Sequence, residues 1–262
     1  VGLTVIVTID TELATDLLSA QSGGELFAVF QPQLDLGTRS IVAAEVLCRW
    51  RHPLRGLVPP EDFIRVAEET GSIRALGRLM LNHGLDLIAH WQKRSVAIEA
   101  SVNVSPVQLT DGRFVDHLQE RLEQHAISAG SLIVEITESQ PLGDAVVVVR
   151  ELERLRSAGI GVALDDFGTG HASTAQLEQL PVSEVKLDRL LIQSLSPEVD
   201  DVLMDTMRLA RERDLRVVAE GVETEAQFER AVELGCDRIQ GFLVSRPLGR
   251  PAFDALLEQE QD

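Results

Sequence analysis

The sequence predicts an α/β fold, a (β/α)8 barrel in which one strand runs against the others. Three observations lead there. Eight short strand-like segments alternate with amphipathic helical stretches after the first thirty residues. A length of 262 residues suits one large barrel, or two small domains, and buries a sizeable core. The first two strand candidates are separated only by "DLGTRS". A parallel crossover needs a dozen or more residues, so these two should pair as a hairpin and leave one barrel strand antiparallel.

In chain order, Val1–Asp10 is strand-like, and residues 1–25 are expected to form an N-terminal arm or the edge of a preceding domain. Residues 26–262 are expected to form the barrel domain. Its strands are placed at Phe27–Leu34, Ile41–Trp50, Ile98–Val104, Leu132–Thr137, Val162–Asp166, Glu184–Asp188, Arg216–Glu220 and Ile239–Leu243. Between them lie helical stretches such as "PEDFIRVAEETG", "IRALGRLMLNHGLDLIAHWQKR" and "VLMDTMRLARERD". Gly71, Gly159 and Gly235 each follow a helical run, as C-cap glycines do. Thr224 and Gln227 have the spacing of a capping box. No Pro/Gly/Ser linker interrupts the chain, and no internal repeat is visible.

A net charge of −18 argues against binding DNA or RNA polymers or an anionic membrane. A small anionic ligand remains allowed if arginine, lysine or metal supplies local positive charge. Cys48 and Cys236 make no disulfide framework and read as buried free thiols, with a cytoplasmic location as the default. No apolar run approaches the roughly 18 residues of a membrane span. The chain begins at Val1, and other domains are expected in a longer polypeptide.

In a barrel of this class the chemistry sits at the C-terminal ends of the strands. Those ends carry Glu45 with Arg49, Asn103, Glu135, Asp165 with Asp166, Lys186 with Asp188, Glu220 and Gln240. Taken singly, each has an ordinary explanation as a helix cap, a salt-bridge partner, a turn former or a solvated rim residue. Taken together, several carboxylates at one barrel mouth repel one another unless protons or cations neutralise them. Carboxylates plus an amide are hard oxygen ligands suited to Mg²⁺ or Mn²⁺. Asp165 and Asp166 are adjacent in "ALDDFGTG" and cannot share a strand face, so one is expected to point axially and the other across the rim. Such a pair suits two ions about 4 Å apart, which would activate water and clamp a phosphoryl group. The following "GTG" reads equally as a tight turn or as a loop over the metals.

The blocks "FQPQLD", "AEVLCRWRHPLRGLVPPEDFI", "AEETG", "NVSPVQL", "VEITES", "LDDFGTG", "PVSEVKLDR", "VVAEGVET" and "IQGFLVSRPL" resemble, in order, the EAL-domain family of cyclic di-GMP phosphodiesterases. They cover about Leu26 to Leu256. The resemblance implies a modified TIM barrel with one antiparallel strand, and hydrolysis of cyclic di-GMP to linear pGpG with Mg²⁺ or Mn²⁺, two ions in all. It implies that Glu45, Asn103, Glu135 and Asp165 hold the first ion. Asp165, Asp166 and Glu220 would hold the second, directly or through water. Lys186 would steer the attacking water, and Gln240 would anchor the same network. Arg49 would bind a substrate phosphate, Gln31 would contact the substrate near guanine, and Glu138 would brace the loop Phe167–Ser173. Self-association into a dimer is a further expectation from the resemblance.

The chain departs from the family pattern in three places. The signature triplet reads "EVL", with Val46 on the strand face opposite Glu45. His171 and Ala172 stand where the family usually has tyrosine and serine, and "QGF" replaces "QGY". The alternative is a cyclic di-GMP receptor of the same fold that does not hydrolyse it. Such relatives generally lack one or more ligand or lysine positions, and here all are present, which favours the enzyme.

Overall fold

Helix α1 (Thr11–Gly23) opens the described chain, burying Leu13, Leu17 and Ala20 along one helical stripe. The structure is a computed structural model that describes residues 11–137, 144–168, 174–194 and 196–260. Strand β1 (Leu26–Asp35) follows and turns back into β2 (Ile41–His52). The Asp35 carboxylate accepts hydrogen bonds from the backbone N–H of Gly37 and Thr38, which stabilises the tight connection. The two strands are antiparallel, with Gln31 opposite Glu45, as so short a link requires.

A second hairpin joins β2 to the short β3 (Gly56–Val58). Helix α2 (Pro60–Thr70) ends at Gly71 in the left-handed conformation, and the long α3 (Ile73–Gln92) follows. The chain then supplies β4 (Glu99–Asn103), α4 (Pro106–Leu109), α5 (Phe114–Gln124), β5 (Leu132–Thr137), α6 (Ala145–Ser157) and β6 (Gly161–Phe167). The last third contributes α7 (Thr174–Gln179), β7 (Glu184–Leu187), α8 (Arg189–Gln193), α9 (Pro197–Glu212), β8 (Arg216–Ala219), α10 (Glu225–Leu234), β9 (Arg238–Gln240) and α11 (Arg250–Gln259). Helix α10 begins in a complete capping box between Thr224 and Gln227 and stops at left-handed Gly235.

The sheet runs β1-β9-β8-β7-β6-β5-β4-β2-β3, and the β1–β2 pairing closes eight of these strands into a barrel with β3 outside the ring. Only β1 is reversed within the ring: it is antiparallel to both neighbours, β2 and β9, and every other ring pairing is parallel. All four residues of β7 are buried, as parallel strands covered on both faces are. Between barrel and helices lies the apolar core, which includes Trp50, Phe63, Trp91, Leu109 and Phe253.

Ion pairs hold the barrel floor. Glu99, at the start of β4, takes a two-point contact from Arg238 at 2.7 and 3.0 Å and a third bond from Arg216 at 2.9 Å. Arg216 also pairs with Glu184 at 3.0 Å. These four residues open β4, β7, β8 and β9, so the network ties the N-terminal strand ends together, opposite the mouth.

Residues 11–23 are helical and pack on the rest of the fold. Two local features differ from the sequence-based expectation. Strand β9 stops at Gln240 instead of continuing to Leu243, because the backbone of Gly241 presses on Val222: a Cβ there would sit 2.1 Å from the Val222 carbonyl oxygen. Asp166 has φ +55, and the β6–β7 register shifts between Leu164 and Phe167. This bulge interrupts the strict alternation on which the expected directions of Asp165 and Asp166 relied.

Candidate active site

Lys186 is wholly buried near the end of β7, where period-two alternation turns it into the barrel. A solitary ammonium there would be untenable, and it is surrounded by carboxylates. Its Nζ lies 2.8 Å from Asp165 Oδ1, 2.8 Å from Glu220 Oε1, 3.0 Å from Glu135 Oε1 and 3.4 Å from Glu45 Oε2. Four strands of the ring, β2, β5, β6 and β8, thus bring acids to one amine. Burial works against the ammonium, but Asp165, Glu135, Glu220 and Glu45 outweigh it and hold the lysine well above its ordinary pKa.

The acids divide by their surroundings. Burial would raise Glu45, yet Lys186 and the amides of Gln240 and Asn103 leave it below the usual carboxylate range. Asn103 Nδ2 donates to Glu45 Oε1 at 2.8 Å, and Gln240 Nε2 donates to Oε2 at 2.6 Å. Burial pushes Glu135 and Glu220 well above the usual range, against Lys186 and with help from neighbouring carboxylates. The same causes raise Asp165. Burial and then Asp165 push Asp166 up to about 6. Four acids around one lysine leave negative charge in excess, which protons or cations must neutralise in part.

The donor set fits divalent ions. Carboxylate oxygens of Glu45, Glu135 and Asp165 lie within 4.8 Å of one another, as do those of Asp165, Asp166 and Glu220. Asp165 belongs to both groups, and the β6 bulge brings Asp166 to the second. Glu135 is fully buried, and its Oε2 has no hydrogen-bond donor among the described residues. A buried acceptor without a donor, within an all-oxygen set, suits a hard cation.

Two cavities of about 370 Å³ each meet at Asp165 and Asp166. One is polar and includes Gln31, Glu45, Glu220, Gln240, Arg189 and Phe242. The other has an apolar wall from Pro60, Ile64, Ile73 and Met80, and includes Arg49 and Asn103. Arg49 Nη1 donates to the Cys48 carbonyl at 2.8 Å and has no carboxylate partner among the described residues. The structure therefore brings Glu45, Asn103, Glu135, Asp165, Asp166, Lys186, Glu220 and Gln240 together, with Gln31 and Arg49 on the flanking cavity walls. Glu138 and most of the loop Phe167–Ser173 lie outside the described residues.

Sequence reasoning missed Arg189 and the apolar wall, and it marked Phe242 only as a departure from the family's "QGY". Arg189 directly follows the strand-end Asp188, so its position after β7 was the available signal. Nothing local marks Ile64, Ile73 or Met80, which look like ordinary core positions of helices.

The model of the EAL domain matches residues 14–247. MucR of Pseudomonas aeruginosa, a bifunctional diguanylate cyclase/cyclic di-GMP phosphodiesterase, is 37% identical over 240 residues, which is 90% of this chain and 35% of that protein. PdeI of Escherichia coli, a probable cyclic di-GMP phosphodiesterase, is 32% identical over 245 residues, 92% of this chain and 31% of its own length. The chain thus spans about a third of these relatives. Among solved structures, a complex of the Pseudomonas aeruginosa MucR phosphodiesterase with c-di-GMP superposes with a TM-score of 0.85 at 35% identity, covering 92% of this chain and 99% of that one.

Proposed function

This chain belongs to the EAL-domain family, and from that premise we propose that it hydrolyses cyclic di-GMP to linear pGpG with Mg²⁺ or Mn²⁺, two ions in all. The observation that carries the reading is the complete oxygen-donor set around Lys186 at the meeting point of two cavities. The names of the similar proteins point the same way.

Glu45, Asn103, Glu135 and Asp165 would hold the first ion; Asp165, Asp166 and Glu220 would hold the second. Bound divalent ions supply positive charge that polarises phosphoryl oxygens and lowers the pKa of water. The chain's own residues set the frame for that chemistry. Asn103 and Gln240 each engage one oxygen of Glu45 and fix the plane of its carboxylate. Lys186, within reach of Asp165, Glu220, Glu135 and Glu45, would steer the attacking water and offset negative charge there. The guanidinium of Arg49 offers its free donors to a phosphate, whose oxygens its fork matches. In the overall reaction water adds to phosphorus and the bond from phosphorus to one ribose 3′ oxygen breaks. That oxygen leaves with a proton, and the product retains a 5′ phosphate. Arginine and lysine, together with the ions, provide the local positive field that a chain of net charge −18 otherwise lacks.

The same reading places the domain in a longer, cytoplasmic signalling protein, as a dimer, with cyclic di-GMP as its ligand. Chromatography of cyclic di-GMP incubated with wild type and with Glu45→Ala, in Mg²⁺, Mn²⁺ or chelator, tests it. We expect metal-dependent pGpG that vanishes in the variant. Intact substrate under every condition, with the nucleotide still bound, would instead make the domain a receptor.

A further inference from the structure

Gln33 is completely buried on β1, directly opposite Gln240 in the antiparallel β1–β9 pair. Its Nε2 donates to Gln240 Oε1 at 2.9 Å, and Gln240 Nε2 in turn donates to Glu45 Oε2 at 2.6 Å. The direction of this chain is set at its far end. An ionised carboxylate only accepts hydrogen bonds, so Gln240 must turn its amide nitrogen toward Glu45. That leaves the Gln240 oxygen pointing at Gln33, which must answer with its own nitrogen. The Gln33 oxygen then has no donor among the described residues. A buried glutamine with one end unsatisfied loses free energy relative to an apolar side chain of similar size. Its retained contact is the one that orients Gln240.

We propose that Gln33 is a positioning residue for the metal-binding carboxylate Glu45, acting solely through the side-chain amide of Gln240. The inference rests on the phosphodiesterase reading for its catalytic consequence, but its geometry does not. Without the Gln33 donor, the Gln240 amide still turns its nitrogen to Glu45 but is held at that end alone, with its oxygen unpaired. It then no longer fixes the Glu45 carboxylate in its place beside Asn103 and Lys186. Strand β1 lies between β9 and β2 in the ring, which sets Gln33 beside Gln240.

The test is a cycle of Gln33→Met, Gln240→Met and the double variant, since methionine keeps length and volume while removing both polar groups. Mn²⁺ affinity is read by calorimetry without nucleotide, and kcat and KM are read with cyclic di-GMP. We expect Gln33→Met to weaken Mn²⁺ binding and lower kcat by about tenfold with KM little changed, as loss of a ligand-orienting partner does. The double variant should be no worse than Gln240→Met alone. Wild-type affinity in Gln33→Met, or additive losses in the double variant, would overturn the relay. The side-chain amide signals of Gln240, followed by NMR in metal-free protein, give a readout that needs neither metal nor turnover. Their fixed, protected positions should be lost in Gln33→Met, and unchanged signals would also overturn the proposal. If wild type neither hydrolyses cyclic di-GMP nor binds Mn²⁺, the functional reading fails while this comparison still decides the relay.

Discussion

Asp166 shows how one residue can serve structure and chemistry in conflict. Its left-handed backbone is unfavourable for most side chains, though aspartate tolerates it better than most, and such strain gathers at functional sites. Its reward is a carboxylate beside Asp165 and Glu220. With its pKa pushed up to about 6, the group is protonated below that value and ionised above it. Protons therefore compete with a divalent ion as pH falls. Mn²⁺ affinity should weaken steadily between pH 7 and pH 5, with proton release on binding at the lower end, measurable by calorimetry in buffers of different ionisation heat. A flat affinity across that range would remove Asp166 from the ligand set. The two cysteines illustrate the opposite environment. Burial pushes both Cys48 and Cys236 up to about 12, so they stay protonated thiols. Neither should react with an aromatic disulfide reagent at pH 8 until the protein is unfolded in urea; fast reaction of the native protein would contradict their burial.

At the scale of the element, β9 and the turn after it depend on a close approach that only glycine permits. A Cβ on Gly241 would meet the carbonyl oxygen, nitrogen and carbonyl carbon of Val222 at 2.1, 2.4 and 2.6 Å. These are backbone atoms and cannot swing aside. Gly241→Ala should therefore push β9 away from the Val222 segment and drag Gln240 off Glu45. We expect kcat to fall by at least tenfold with stability lowered by about 1–3 kcal/mol, the usual cost of overpacking. An alanine variant with wild-type kcat and an unchanged urea midpoint would show that the contact relaxes easily.

For the whole molecule, the barrel separates two jobs along its axis. Its mouth concentrates acids around Lys186, and its floor ties strand ends through Glu99, Glu184, Arg216 and Arg238. Arg238 is almost fully buried, so truncating it removes its packing and its two-point contact with Glu99, which is partly exposed and keeps Arg216. Arg238→Ala should lower unfolding free energy by about 1–3 kcal/mol in urea. The floor lies at the opposite strand ends, so Mn²⁺ affinity at 25 °C should stay within twofold of wild type. A large loss of metal affinity with stability intact would mean that the two ends of the barrel are coupled.

The sequence by itself determined the barrel, the reversed strand and the set of polar strand ends. A hairpin link of six residues allows no other pairing for β1 and β2, and alternation along each strand states which side chains share a face. Such facts are local, and they survive in one dimension. What only the tertiary structure decided is where those faces meet and what each group becomes there. No spacing in "ALDDFGTG" announces a bulge, because the bulge arises from pairing β6 with β7, a partner outside that segment. Nor does "FQPQLD" distinguish Gln33 from a filler of the core; its role depends on β9 arriving opposite it from the far end of the sequence. The charge states follow the same rule, since Glu45 and Glu135 are the same residue type driven in opposite directions by burial, Lys186 and the amides that reach one and not the other. Desolvation and Coulomb interaction act through space, so they are fixed only when the ring closes.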